Sequence, residues 1–93
     1  MRNYISYDSE NGILFVHKGF SKGEKFKGNI DVWGLVLDLS NKGKIVGLEI
    51  INATEYLKDS DIDKKILENL SDIVLNISQS YRAIALSLIF ETN

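Results

Sequence analysis

The stretch Asp38-Leu-Ser-Asn-Lys-Gly-Lys-Ile-Val-Gly-Leu-Glu-Ile-Ile51 constrains the fold of this 93-residue chain more than any other. Two apolar runs flank a short segment of turn-forming residues, so they read as an antiparallel hairpin with arms over about 32–39 and 44–51. A four-residue loop, 40–43, sets Leu35 and Leu37 beside Val46 and Leu48 on one face. Gly34, Val36 and Asp38 then share the opposite face with Ile45, Gly47 and Glu49. Each arm therefore carries one carboxylate within an apolar pattern.

The same period-two signal occurs twice more. Ile5-Ser-Tyr-Asp8 and Ile13-Leu-Phe-Val-His17 flank Asn11-Gly12, a pair suited to a two-residue turn because both positions accept positive φ. Ile5 and Tyr7 then share a face with Leu14 and Val16, while Tyr4, Ser6, Asp8, Ile13, Phe15 and His17 share the other. A glycine-punctuated segment follows, in which 24–27 is expected to add a short edge strand. After Asn52 the period changes. Ser60-Asp-Ile-Asp63 is a capping signal, and Ile62, Ile66, Leu67 and Leu70 recur at helical spacing, predicting a helix over about 61–71, with a single turn over 53–57 before it. From Asp72 the alternation returns in Ile73, Leu75 and Ile77, then Ile84, Leu86, Leu88 and Phe90, which predicts a third hairpin. The expected fold class is α+β: one domain over 1–93, mainly an antiparallel sheet of three hairpins and about six strands, with one helix between the second and third hairpins.

Width then raises a packing problem. Six strands at about 4.8 Å spacing make a sheet roughly 24 Å across, whereas a ten-residue helix is about 15 Å long and 10 Å wide. One helix cannot cover that face, and the other face still carries Ile13, Phe15, Val36, Ile45, Ile51, Val74 and Ile89. A chain of this size buries only roughly 60–65% of its unfolded surface, so exposed apolar area needs an explanation. The sheet is expected to curl into a barrel-like core or to pair with another subunit, and a two-fold homodimer is the favoured assembly on base rates.

Composition excludes more than it assigns. There is no cysteine, so disulfides, thiolate nucleophiles and cysteine-ligated metals are ruled out, and the single histidine, His17, excludes sites built from several imidazoles. The net charge of −2 is uneven. Residues 1–50 carry seven Lys/Arg against six Asp/Glu, and 51–93 carry four against seven, which is no basic domain. The start, Met-Arg-Asn-Tyr, lacks an apolar signal core, and the apolar run 83–90 is too short to span a bilayer, so the expected location is cytoplasmic with no membrane partner.

Two segments resemble the small prokaryotic family known as domain of unknown function 2283. Its first pattern reads here as Tyr7-Asp8-Ser-Glu-Asn-Gly-Ile-Leu14-Phe15-Val16. Its second reads as Leu35-Val-Leu-Asp38 through Gly43, Val46-Gly47, Glu49 and Ile50. The likeness covers about 4–53, with the helix and last hairpin outside it. Gly12-Ile13 stands where family members commonly have Asp-Ala. The resemblance implies a small β-rich fold without an established activity, and structural roles for Asp8, Asp38, Gly43, Gly47 and Glu49. It also suggests an antitoxin-like subunit that meets another small protein.

Candidate chemistry is sparse. In the favoured register Asp38 opposes Ile45 and Glu49 opposes Gly34, which separates the carboxylates by about 13 Å, beyond the roughly 5–9.5 Å of acid/base pairs in glycoside hydrolysis. Ser6, Asp8 and His17 share a face, but no Gly-x-Ser-x-Gly elbow or helix-start amide cluster accompanies them. Asp59, Asp61 and Asp63 lack the glycine and the twelfth-position glutamate of a calcium loop and are better suited to a helix start. The segment 18–27 holds four lysines, one glutamate and two phenylalanines, so Lys18, Lys22, Lys25, Phe26 and Lys27 are candidates for single-stranded nucleic acid. A wider basic footprint normally accompanies that function. The expectation is a self-associating interaction domain with no catalytic residues, cofactor or metal; nucleic-acid binding is the alternative.

Overall fold

The computed structural model describes residues 3–93; Met1 and Arg2, in the segment read as lacking a signal core, lie outside them. Seven strands form among the described residues: β1 (Tyr4–Asp8), β2 (Ile13–His17), β3 (Phe26–Val32), β4 (Leu35–Ser40), β5 (Ile45–Ile50), β6 (Leu70–Gln79) and β7 (Ile84–Thr92). Between β5 and β6 lie two short helices, α1 (Ala53–Tyr56) and α2 (Lys64–Glu68), joined through a 3-10 turn over Lys58–Ser60. The first five strands make one antiparallel sheet in the order β1-β2-β5-β4-β3, and β6 and β7 make a second sheet. The architecture is mainly β, with little helix.

That division corrects the width problem. The third hairpin does not extend the first sheet but packs against its inner face, so the sheet's cover comes from β6 and β7 rather than from one helix. Leu14, Val16, Leu37, Leu48 and Ile50 meet Ile73 and Leu75 in one buried cluster, closed at the side by Ala53, Leu57 and Leu67. Polar bonds fasten the two layers: Asn3 Nδ2 donates to the Ile73 carbonyl at 2.7 Å, and Gln79 Oε1 accepts from the Ile45 amide at 2.9 Å.

The first hairpin keeps its expected faces but not its turn. Asp8 pairs with Ile13, so four residues form the loop, and the register moves two positions from a tight Asn11-Gly12 turn. Asp8 explains this: its carboxylate accepts from the Glu10 and Asn11 amides at 3.1 and 3.0 Å and from Asn11 Nδ2 at 2.9 Å, closing a wider loop. A two-residue shift preserves side-chain facing.

In the β4–β5 hairpin the register moves two positions from expectation, one through a loop shortened to 41–43 by the Ser40 amide donating to the Lys44 carbonyl at 2.9 Å, and one through a bulge. Asp38 pairs with Gly47, whereas Leu39 pairs with Ile45, which leaves Val46 as the extra residue. Ile45 and Val46 are both buried as a result. The expected edge strand over 24–27 is instead β3, which starts at Phe26, continues to Val32 and turns tightly at Trp33-Gly34 into β4.

The predicted helix over 61–71 shrinks to α2. Asp63, not Ser60, is its N-cap, accepting from the Ile66 amide at 2.9 Å, and Asp61 is left-handed with φ 59°. At the other end β6 takes Leu70, whose backbone pairs with Thr92. Only Leu67 of the expected stripe is fully buried.

Candidate interaction surface

Trp33 and Gly34 join β3 to β4, both at positive φ, 51° and 89°. Positive φ at both central residues is the primed hairpin turn that matches strand twist, and Gly or Asn usually occupies it. A tryptophan there costs about 1–2 kcal/mol in backbone strain. Its indole is nevertheless 93% exposed and gains no packing on its own chain. The mount is firm: the Ile51 amide donates to the Gly34 carbonyl at 3.0 Å, and the Tyr56 ring lies 3.6 Å from where a Cβ on Gly34 would stand.

Beside this turn runs a groove of about 410 Å³. Leu35, Leu48 and Ile50 of the sheet form its base; Tyr56, Leu57, Ser60 and Ile62 form one side, and Leu86, Leu88 and Phe90 of β7 the other. β6 and β7 pair with each other and not with β3. Ile30 and Val32 pair with Leu37 and Leu35 and so point to the inner face, yet they stay exposed at the sheet edge, and Tyr56 of α1, beside Gly34, is also half-exposed. Clustered exposure of this kind marks interaction sites more reliably than scattered single residues.

The sheet's outer face carries the carboxylates. Glu49 pairs with Val36, and Asp38 with Gly47, so the two acids are diagonal neighbours about 7–8 Å apart rather than 13 Å. Asp38 is buried and accepts from Asn29 Nδ2 at 2.5 Å. The His17 imidazole lies against Gly47, where a Cβ would come within 2.7 Å of His17 Cδ2 and 2.9 Å of the Val16 carbonyl. His17 Nδ1 accepts the Gly19 amide at 2.8 Å, which leaves the ring's proton on Nε2 when the ring is neutral. Tyr4, Phe15, His17 and Phe20 follow one another with ring centroids 5.9, 5.9 and 4.9 Å apart. Ser6 pairs with Phe15, and Asp8 is held by its own turn, so Ser6, Asp8 and His17 make no hydrogen bond to one another among the described residues. No group of three or more His, Cys, Asp or Glu able to hold a metal occurs among them. The bonds to Asn11, the side-chain amide first, hold the Asp8 carboxyl below its ordinary value.

The basic segment is tied down. Glu24 Oε2 accepts from Ser40 Oγ at 2.6 Å, and Oε1 from the Ser21 amide at 2.9 Å. These bonds, led by Ser40, lower the Glu24 carboxyl from its ordinary value. Lys42 Nζ donates to the Lys22 carbonyl at 3.0 Å, and the Lys25 amide to Asn41 Oδ1 at 2.9 Å. Lys18 is anchored through its amide to Val46. Phe26 opens β3 and is half-exposed, and Lys27 follows it at a register irregularity. Gly43, at φ 73°, turns β4 toward β5.

Residues 4–53 match the family described as "Protein of unknown function (DUF2283)". The chain belongs to this family. The matched segment runs from the first residue of β1 to the first residue of α1, so the five-stranded sheet is the DUF2283 unit, while most of the helical connection and all of the second layer lie beyond it. An uncharacterised protein of Methanocaldococcus jannaschii is 36% identical over 70 residues, which is 75% of this chain and 56% of that protein. The chain thus spans about half the length of the curated relative it matches. No solved structure matches it. No helix among the described residues of this DUF2283 protein is long and apolar enough to cross a membrane.

Trp33, Tyr56, Ile30 and Val32 were not singled out by sequence reasoning. The signal lies in Ile30-Asp-Val-Trp-Gly-Leu35, where apolar alternation on both sides of an x-Gly pair marks a tight turn.

Proposed function

We propose that this protein is a self-associating interaction domain, a small regulatory subunit without catalytic activity, whose working surface is the apolar groove and the exposed β3–β4 hairpin beside it. One observation carries this reading: a groove of about 410 Å³ adjoins a fully presented tryptophan and the exposed apolar residues Ile30 and Val32. The lining contains no carboxylate, ammonium or imidazole that would bind a charged ligand. A binding role for another small protein, as for an antitoxin-like subunit, falls within the same reading. Sedimentation velocity over about 1–100 µM tests it, since a working dimer in the usual transient range changes mass across that span.

Single-stranded nucleic acid is the second reading, favoured by the half-exposed rings of Phe20 and Phe26 among Lys18, Lys22, Lys25 and Lys27. The Glu24 carboxylate in their midst opposes it. If any RNA or DNA affinity is found, a Lys25/Lys27→Glu variant must lose it; retention dismisses this reading.

A further inference from the structure

We infer that the groove's occupant is a second copy of this chain, held by reciprocal insertion: Trp33 of each protomer enters the groove of the other. The inference rests on the self-association proposed above and gives it a geometry.

Trp33 is the chain's one tryptophan, and it occupies a left-handed position where Asn or Gly would be less strained. Strain of this sort persists where function needs it. A tight turn fixes the indole's base, and a tryptophan side chain has only two rotatable angles, so docking it loses little conformational freedom. The groove begins at Leu35 and Tyr56, next to the same turn. Knob and hole therefore lie side by side on one patch, which is what a two-fold interface needs, since each copy must present both. Ser60 lines the groove and offers a hydroxyl to accept the indole N–H.

Area points to the same occupant. A standard interface takes about 800 Å² from each partner, of which about 60% is apolar. Of the residues at the turn and beside the groove, Trp33 is 93% exposed, Tyr56 45%, Val32 44% and Ile30 40%. With about 200 Å² for a whole aromatic side chain and about 100 Å² for an aliphatic one, these residues offer about 360 Å² of apolar surface, roughly three-quarters of what one side of a standard dimer requires. The uncharged lining suits an equally uncharged knob.

The experiment uses the full chain, with sedimentation velocity and intrinsic fluorescence recorded on the same concentration series. Because Trp33 is the sole tryptophan, its emission reports this contact directly. The expected result is a dimer whose formation coincides with a blue shift of the emission, and a Trp33→Ala variant, folded by circular dichroism, whose association is weaker by at least about 30-fold, as for a buried hot spot. A dimer with solvent-like emission, which Trp33→Ala leaves intact, overturns the insertion and leaves self-association standing. A monomer throughout the series overturns both.

Discussion

Glu24 accepts the hydrogen bond of the Ser40 hydroxyl at 2.6 Å, and the Ser40 side chain has no solvent exposure at all. This bond joins the 18–25 connection to the turn end of the β4–β5 hairpin. The Lys42 amide also donates to the same hydroxyl at 3.2 Å, so one buried oxygen organises both segments. Replacing Ser40 by Ala is expected to cost about 1–2 kcal/mol, the ordinary effect of stripping a buried hydrogen bond from its partners, measured by urea denaturation.

Acid should act through the same place. Glu24 and Asp8 both ionise below their ordinary values of 4.5 and 3.8, so the folded state binds protons less readily than the unfolded chain. Their contribution to stability is complete well above those values and is lost as pH falls through the depressed folded values. The expected outcome is a steeper loss of stability below pH 4.5 in the parent protein than in a Glu24→Gln/Asp8→Asn double variant, followed as melting temperature against pH. Parallel curves for the two proteins reject this.

Gly47 is required by contact rather than by its backbone angles. A Cβ there meets His17 Cδ2 at 2.7 Å and the Val16 carbonyl at 2.9 Å. Gly47→Ala should destabilise by about 1–3 kcal/mol, as overpacking does. Adding His17→Ala should recover only part of that, because the backbone carbonyl remains in place. Full recovery in the double variant, read from a double-mutant cycle, would show that the imidazole alone excludes a side chain.

Trp33→Asn should have opposite effects on the protomer and on its assembly. Asn tolerates the left-handed conformation, so the isolated protomer is expected to gain about 1 kcal/mol, measured at a dilution where association is negligible. The same change should abolish concentration-dependent sedimentation. A loss of protomer stability would show that the indole supports its own chain.

The second layer holds the first through Ile73, which is fully buried. Ile73→Ala is expected to cost about 2–5 kcal/mol in urea denaturation, with a single transition monitored by both circular dichroism and tyrosine emission. Two separate transitions would show that the β6–β7 hairpin unfolds apart from the sheet.

Much of the strand pairing was legible in the sequence because alternation in 5–17, 35–50 and 73–90 leaves few choices of facing. Registers were less legible, for local reasons. Asp8 closes a four-residue turn where Asn11-Gly12 suggested two, and the bulge at Val46 inserts a residue that period-two counting cannot see. That bulge, together with a loop one residue shorter than expected, brings Asp38 and Glu49 to diagonal positions. The helix shrank because Leu70 fits either a helical stripe or a strand, and pairing with Thr92 decides for the strand. β3 was obscured by Trp33, a residue that rarely signals a primed turn. At the groove, Leu35 and Leu88 were recognisable as apolar strand positions, but their convergence depends on how two layers cross, which no local pattern encodes.

Leu35, Leu48 and Ile50 come from the segment shared with the family, whereas Leu86, Leu88 and Phe90 come from the portion beyond it. Three of its ten lining residues thus lie in the family segment and seven follow residue 53. Changes at those seven positions would therefore recut the walls of this cleft while its floor of Leu35, Leu48 and Ile50 stays as it is.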